Sequence, residues 1–258
     1  MTAPRIYRPQ PFAAGEHQLL DGNWWRYLKT VLRLREGDPV VLFDGRGREG
    51  EATVTGISRA GVSVRIDACR SVPSGGRPLT LAQALPKGET MDAIIRKAAE
   101  LGVTAIQPLQ ADRSVPRLTP EKARQKVARW QTLAVEACRQ SRRADIPRVD
   151  DIRSFPEFIA ASTGGGVRLM LWEEERRTGL RDLLRGQSDR RDDLHVVVIG
   201  PEGGFTEAEA GLARRHGFHT ASLGRRILKV ETAAVAALAI VQYERGDLET
   251  ADGGGAAP

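Results

Sequence analysis

Cysteine and histidine are scarce in this chain of 258 residues. The two cysteines, Cys69 and Cys138, lie far apart and offer no disulfide framework, so we expect a reducing compartment. The four histidines do not have the spacing of metal ligands; a glycine separates His216 from His219. The sequence therefore predicts no metal site.

Long apolar runs are also missing. The longest, residues 233–241, is about half of what a bilayer-spanning helix needs. No N-terminal segment has the pattern of a signal peptide. With 41% hydrophobic and 28% charged residues, the composition is that of an ordinary globular protein with enough length for a sizeable core. We expect a soluble, cytoplasmic protein with no membrane partner.

Positive charge is in excess. The chain has 39 Lys and Arg against 33 Asp and Glu, a net charge of +6, and an isoelectric point of about 9.7. Residues 111–148 alone hold ten basic against four acidic residues, a surplus as large as that of the whole chain. This concentration favours a polyanionic partner such as nucleic acid.

Turn-forming residues at 70–78 separate two patterns. Before them, residues 40–43, 50–55 and 62–66 read as a small β-meander, preceded by a helical segment at 24–34. After them, strands alternate with helices, which is typical of an α/β sheet. Predicted strands are residues 79–84, 105–109, 167–171, 195–199 and 220–223; predicted helices are 89–101, 120–139, 180–185, 207–216 and 230–245. We predict domains at 1–72 and 79–248, a linker at 73–78 and a disordered tail at 249–258.

One glycine pattern is misleading. The segment Gly45-Arg-Gly-Arg-Glu-Gly50 matches the G-x-G-x-x-G dinucleotide motif by letter. However, residues 51–55 continue as a strand, and the motif binds phosphate only at the start of a helix. We predict a hairpin turn.

Two other glycine turns carry the functional signal. His195-Val-Val-Val-Ile-Gly-Pro-Glu-Gly-Gly-Phe205 and Ser222-Leu-Gly-Arg-Arg-Ile-Leu-Lys-Val-Glu-Thr-Ala233 each run from an apolar strand through glycine toward a helix. Glycine lets a ligand approach the backbone, and the N–H groups at a helix start can bind it. Thr206 is placed as an N-cap ahead of Glu209. We predict a small-molecule pocket made chiefly of backbone.

These paired segments resemble the SPOUT class of S-adenosylmethionine-dependent RNA methyltransferases, and within it the 16S rRNA (uracil-N3)-methyltransferases. Arg5-Ile-Tyr7 and Val31-Leu-Arg-Leu-Arg-Glu-Gly-Asp38 resemble the PUA-like RNA-binding module of that family. Glu136-Ala-Cys-Arg-Gln-Ser-Arg-Arg143 resembles a family motif centred on Glu-Gln-Ser-Gly-Arg, with Arg139 and Arg142 in place of its acidic residue and glycine. The resemblance implies a PUA-like β-barrel followed by an α/β SPOUT domain with a C-terminal trefoil knot, and a homodimer.

The resemblance also implies a site. The cofactor, S-adenosyl-L-methionine, would contact Leu171, Gly200, Glu202, Gly203, Gly204, Leu223, Gly224, Ile227, Leu228, Thr232 and Ala233. The loop at residues 172–175 would border it, although this acidic run also reads as a solvated face. Uracil N3 carries a proton at neutral pH, so methylation needs a proton acceptor and positive charge beside the carbonyl oxygens. Glu202 or Glu231 is the candidate acceptor, and Arg226 is the candidate anion stabiliser.

The predicted partner is 16S ribosomal RNA in the small subunit. The predicted RNA-binding residues are Arg5, Arg33, Arg113, Arg117, Lys122, Arg124, Arg139, Gln140, Ser141, Arg142, Arg143 and Lys229. Lysine at 229 keeps the charge of the arginine common in the family but loses its bidentate fork. Two alternatives stay open: a knotted methyltransferase acting on tRNA or a ribose hydroxyl, and a non-catalytic RNA-binding dimer.

Overall fold

The computed structural model describes residues 3–21, 34–72, 77–162, 166–185 and 195–248. The chain divides into two compact units: Met1–Ser74 with Val135–Ile146, and Gly75–Ala134 with Pro147–Pro258. The predicted helical segment at 24–34, most of the predicted linker and the predicted tail lie outside the described residues. The sequence-based domain boundaries therefore stay a prediction.

The first unit contains a five-stranded sheet. Its strands are β1 (Arg5–Tyr7), β2 (His17–Leu20), β3 (Pro39–Phe43), β4 (Arg48–Ile57) and β5 (Val62–Ser71), in the order β1-β3-β4-β5-β2. β1 pairs with β3 in parallel, and the other pairs are antiparallel. The predicted meander of β3, β4 and β5 is confirmed. β1 and β2 were not expected, because three or four residues are too few to show alternation.

Alternation of side chains along the strands forms the core of this sheet. In β5, Val62, Val64 and Ile66 are fully buried, while Ser63 and Arg65 between them face outward. Among the described residues no ladder joins β1 to β2, so closure of the predicted barrel stays a prediction.

A buried carboxylate organises one side of the first unit. Glu49, only 3% exposed, lies 2.6 Å from an Nη of Arg5 and 2.8 Å from an Nη of Arg70. Burial opposes ionisation of Glu49, but the hydrogen bonds from Arg70 and Arg5 outweigh it and hold its pKa below the usual value. This network also packs Arg5 over the ring of Phe43, 5.0 Å from its centroid.

The hairpin prediction for residues 45–50 is confirmed. Gly45 and Gly47, with φ of 77° and 94°, form the turn between antiparallel β3 and β4. Leu42 pairs with Gly50 and Phe43 with Glu49, so the glycine pattern runs into a strand and not into a helix.

The second unit is an α/β sheet. Its strands are β6 (Leu79–Ala84), β7 (Ala105–Gln110), β8 (Arg148–Val149), β9 (Arg153–Ser154), β10 (Arg168–Leu171), β11 (His195–Ile199) and β12 (His219–Ala221). Its helices are α1 (Thr90–Glu100), α2 (Pro120–Ser141, whose last residues belong to the first unit), α3 (Phe155–Ala161), α4 (Leu180–Arg185), α5 (Glu207–Arg215) and α6 (Val230–Glu244). The strands are all parallel, in the order β12-β10-β11-β6-β7-β8, with β9 also on β7. The predicted α/β class is confirmed.

One helix of this unit was missed from sequence. α3 begins at a capping box in which the Ser154 hydroxyl accepts from the Glu157 N–H and the Glu157 carboxylate accepts from the Ser154 N–H. The Ser-x-x-Glu spacing was present in the sequence and could have found it. β8 and β9, with two residues each, have no comparable signal.

Helices cover both faces of the parallel sheet. α3 and α5 share one apolar cluster with the strands, which includes Phe155, Phe158, Val196, Val198 and Phe205. α6 packs against β11 and α1 outside that cluster. Helices on both faces explain why every residue of β6 and β11 is buried. Within the described ranges, no helix is long and apolar enough to cross a membrane.

Candidate functional site

A cavity of about 430 Å³ opens at the carboxyl ends of three neighbouring strands of the second unit. Leu171 ends β10, Ile199 ends β11 and Ala221 ends β12, and all three residues line the cavity. β10 lies between the other two in parallel register, which brings these ends together. Open α/β sheets bind ligands at this edge, and the volume suits a small molecule.

Most of the predicted cofactor residues line this cavity. They are Leu171, Gly200, Gly204, Leu223, Gly224, Ile227, Leu228 and Ala233, and Arg226 joins them. The lining does not include Glu202, Gly203, Lys229, Glu231 or Thr232. The roles assigned to those five residues stay predictions.

The acidic loop after β10 also lines the cavity. Trp172, Glu173 and Glu174 are part of the wall, as the resemblance implied. The alternative interpretation, that this acidic run only faces solvent, did not predict this position. Five further lining residues belong to the two glycine-turn segments from which the pocket was predicted: Pro201, Phe205, Ser222, Arg225 and Val230. Sequence reasoning missed Arg176 and Ala221, which also line the cavity. Their positions depend on strand order, which no local pattern reveals.

The turn after β11 needs its glycines. Gly204 has a φ of +66°, and a Cβ there would lie 2.5 Å from Oε1 of Glu173. A Cβ on Gly200 would lie 3.2 Å from the ring of Phe205. The predicted N-cap is confirmed, since Thr206 and Glu209 form a capping box at the start of α5. At Gly200 and Gly204 the surrounding side chains are too close for a Cβ, so the cavity wall there consists of backbone.

Charged side chains fasten this turn to two other loops. Both carboxylate oxygens of Glu202 accept from the Lys87 N–H, at 3.0 and 3.1 Å. An Nη of Arg113 donates to the Gly203 carbonyl at 2.8 Å, and the Asp112 N–H donates to Glu209 at 3.0 Å. The loops after β6 and β7 thus hold the turn after β11. These contacts give Glu202 and Arg113 positioning roles that sequence reasoning did not assign.

The turn after β12 presents free positive charge to the cavity. Gly224 has a φ of +110°, and its N–H donates to the Ser222 hydroxyl. Arg225 and Arg226 follow, both exposed, and no ion pair joins either of them to a described residue. Ile227 is 90% exposed although it is apolar, which is expected where a ligand or partner covers the side chain.

A third carboxylate, Glu175, holds the acidic loop against β12. Its Oε2 accepts from the Thr220 hydroxyl at 2.7 Å, and its Oε1 accepts from the N–H groups of Arg177 and Thr178 at 2.8 and 3.3 Å. The hydrogen bonds from Thr220 and then Arg177 hold the pKa of Glu175 below its usual value, against the opposing effect of burial. The wall formed by residues 172–174 depends on this anchor.

The predicted RNA-binding residues fall into distinct settings. In the first unit, Arg5 and Arg143 are only 12% and 13% exposed and pair with Glu49 and Asp145, while Gln140, Ser141 and Arg142 are exposed and Arg139 is half-buried. In the second unit, Arg113, Arg117, Lys122, Arg124 and Lys229 are exposed. Arg33 lies outside the described residues. RNA contact by each stays a prediction, and the burial of Arg5 and Arg143 indicates structural roles.

No group of three or more His, Cys, Asp or Glu side chains in the described parts of the chain could hold a metal ion. Cys138 is buried, and burial raises the pKa of its thiol to about 11.

The chain is similar to known RNA-modifying proteins over most of its length. A family described as the RNA methyltransferase domain matches residues 74–242, and one described as the RNA methyltransferase PUA domain matches residues 20–67. Ribosomal RNA small subunit methyltransferase E of Bacillus subtilis is 33% identical over 244 residues, covering 88% of this chain and 92% of that protein. The protein of the same description from Synechocystis is 36% identical over 213 residues, covering 83% and 68%.

The chain is also similar in structure to a solved member of this group. Ribosomal RNA small subunit methyltransferase E from Neisseria gonorrhoeae, bound to S-adenosyl methionine, is 33% identical. It aligns with a TM-score of 0.83 over 94% of this chain and 98% of that chain.

The anchoring of the acidic loop can be tested by substituting Glu175. At pH 7 we expect Glu175→Gln to lower the melting temperature by about 2–4 °C, as expected for the loss of about 1 kcal/mol in a unit of this size. Because the folded-state pKa is lowered, the contribution of Glu175 is present above its unfolded pKa and lost as the pH falls through the folded value. The difference between wild type and variant should therefore shrink below about pH 4.

Glu174→Gln is the matched control. The carboxylate of Glu174 is next in the chain to Glu175, but it is exposed and has no hydrogen bond within the described structure. Calorimetric scans from pH 3 to pH 8 measure both. An equal loss in the two variants would contradict the anchoring role of Glu175.

Proposed function

The chain belongs to the ribosomal RNA small subunit methyltransferase E family, and from that membership we propose that it methylates N3 of a uridine in 16S ribosomal RNA with S-adenosyl-L-methionine. The observation that supports this most directly is the cavity at the carboxyl ends of β10, β11 and β12, with its two glycine turns and Arg226 on one wall. A ribosomal RNA substrate makes the cytoplasm the expected place of the reaction.

The cavity residues fit this cofactor. Leu171, Leu223 and Leu228 offer apolar surface, and the glycine turns offer backbone groups for a planar base and its sugar. Glu173 and Glu174 supply negative charge, which suits a cationic ligand. When bound, S-adenosyl-L-methionine would supply a methyl group on a positively charged sulfur, and a nucleophile in line with the carbon–sulfur bond would take that methyl group.

The chain's own contribution is orientation and charge. The clamped turn after β11 is fixed before any ligand arrives, so little freedom is lost when donor and acceptor are aligned. As the N3 proton leaves, negative charge develops on the uracil carbonyl oxygens. The guanidinium of Arg226, which forms no ion pair with a described residue, stabilises that charge. The proton passes to Glu202, to Glu231 or to solvent. Both oxygens of Glu202 already accept a hydrogen bond from the Lys87 N–H, so Glu231 is the carboxylate more available to accept the proton.

The family resemblance also leads us to propose that residues 222–244 complete a trefoil knot. Small residues on α6 support this proposal: Ala234 and Ala237 are buried where the helix packs against β11 and α1, and small side chains allow close passage of the chain.

Filling the cavity should weaken cofactor binding. Ala233 lines the cavity at the start of α6, so Ala233→Trp should place an indole where the cofactor binds and weaken its affinity at least about tenfold, a loss of about 1.4 kcal/mol. Ala208→Trp is the control, because Ala208 is exposed on the first turn of α5 and is not part of the lining. Titration calorimetry measures both, and unchanged affinity in Ala233→Trp would contradict the placement.

Loss of Arg226 should slow the chemical step more than it weakens RNA binding. We expect Arg226→Ala to reduce single-turnover methyl transfer by a factor on the order of 100 or more, because a charge aimed at the developing anion is lost. Arg225→Ala removes the same charge one residue away and should cost much less. Equal losses would mean that bulk charge, not Arg226, carries the effect.

The same assay identifies the product. Wild-type protein with labelled cofactor and isolated small subunits should place the label on N3 of one uracil. Label on a ribose hydroxyl or on tRNA would support the related methyltransferases instead, and cofactor binding without any transfer would support a non-catalytic RNA-binding protein.

We also propose a homodimer formed through α6, with the active site near the interface. Ile240 and Tyr243 are one turn apart on this helix and are 37% and 71% exposed. Ile240→Glu with Tyr243→Glu should give a monomer in sedimentation velocity, whereas Leu19→Glu, at another exposed apolar residue, should not. A wild-type protein that is monomeric at every concentration would rule the dimer out.

A further inference from the structure

The hairpin between β3 and β4 has a rigid backbone that carries exposed arginines. The Asp44 carboxylate accepts from the N–H groups of Arg46 and Arg48, at 2.7 and 3.0 Å. Gly45 leaves no room for a side chain, since a Cβ there would lie 2.7 Å from Cδ1 of Ile146. The guanidinium of Arg48 lies 5.7 Å from the ring centroid of Phe12. The side chains of Arg46 and Arg48 thus project from a fixed turn.

A second arginine segment lies at the end of α2. Arg142 has a φ of 62° and is the only non-glycine residue with positive φ among those described. The Arg143 N–H donates to the Cys138 carbonyl at 3.0 Å, which closes the helix in the manner usually completed by glycine at position 142. An exposed arginine in this conformation costs free energy that glycine would not, and such strain is typically found at functional positions.

Backbone pairing brings these two segments of the first unit together. The Gly47 N–H donates to the Ala144 carbonyl, and the Ile146 N–H donates to the Gly45 carbonyl, at 3.2 and 3.0 Å. The backbones of Arg46 and Asp145 are partners in an isolated β-bridge. Three residues of chain separate Asp145 from Arg142 and span at most about 11 Å, so the arginines of both segments lie on neighbouring backbone.

The carboxylates around them are already engaged. Asp44 accepts from backbone N–H groups, Glu49 is buried between Arg5 and Arg70, and Asp145 pairs with Arg143 at 2.6 Å. No ion pair joins Arg46, Arg48 or Arg142 to any residue in the described ranges. We call these three residues the arginine surface, and its positive charge is not neutralised within the described structure.

We propose that the arginine surface binds backbone phosphates of the RNA that the cavity methylates. This rests on the proposed function, and it adds Arg46 and Arg48 to Arg142, which the sequence had suggested. Guanidinium groups bind phosphate through two parallel hydrogen bonds, and contacts of this kind set the register of a protein on RNA without reading its sequence. The glycine pattern at 45–50 therefore has a phosphate partner of a different kind from the dinucleotide that its letters suggest.

The test is the salt dependence of RNA affinity for the full-length protein. Each phosphate contact contributes about 0.7–0.9 to the slope of log affinity against log salt. The double variant Arg46→Ala with Arg142→Gly should lower that slope by about 1.5 for a 16S RNA transcript and weaken binding more than tenfold at low salt. Arg59→Ala removes the same charge from the turn at the other end of β4 and should leave the slope nearly unchanged.

Stability separates an RNA contact from a folding defect. Arg142→Gly alone should raise the melting temperature by about 2–4 °C, because it relieves the positive φ, while it weakens RNA binding. Arg46→Ala alone should weaken RNA binding without changing the melting temperature. Cofactor affinity measured by calorimetry should stay unchanged in every variant.

A double variant that keeps the wild-type slope would overturn the proposal, as would an equal loss in Arg59→Ala. Wild-type protein that binds the cofactor but no RNA would instead refute the proposed function. The two failures are therefore distinguishable.

Discussion

Parallel pairing of β10 with β11 and β12 is the constraint on which the site depends. These strands are distant in sequence, and their ladders end at Leu171, Ile199 and Ala221, so three separate loops leave the sheet at one edge. A parallel sheet keeps all carboxyl ends on the same side, and the loops therefore wall a single cavity. A slip in any one ladder would move its loop away from the other two.

Side chains then fix the loops that the sheet brings together. Glu202 and Arg113 bond to backbone groups of another loop, and Glu175 accepts from the Thr220 hydroxyl on β12 and from backbone N–H groups of its own loop. From the sequence alone, each of these charges could equally have indicated catalysis or RNA binding. Hydrogen bonds of charged groups to backbone are stronger than neutral ones, which suits loops that must be rigid before a ligand binds. Arg225 and Arg226 lack such partners among the described residues and are left available for the substrate.

Arginines of the first unit also fall into two groups, those that hold the structure together and those left available for a partner. Arg5 and Arg143 are largely buried and paired with Glu49 and Asp145, so they hold the fold together. Arg46 and Arg142 are exposed and unpaired within the described ranges, on backbone that is itself tightly bonded. Net charge alone pointed to a polyanionic partner, but burial decides which cations can reach it.

The sequence by itself determined the class of the fold, most element positions and the two glycine turns, because these depend on local periodicity and on residues with unusual backbone freedom. β6 and β11 run as predicted, the helix start at Thr206 was marked by its capping pattern, and Gly204 and Gly224 line the cavity as expected. It could not show that Glu202 accepts from the Lys87 N–H, that Glu175 is held by Thr220, or that the hairpin at Gly45 lies beside Asp145. Those contacts join residues far apart in the chain, and only the order of the strands and the pairing of distant segments decide them.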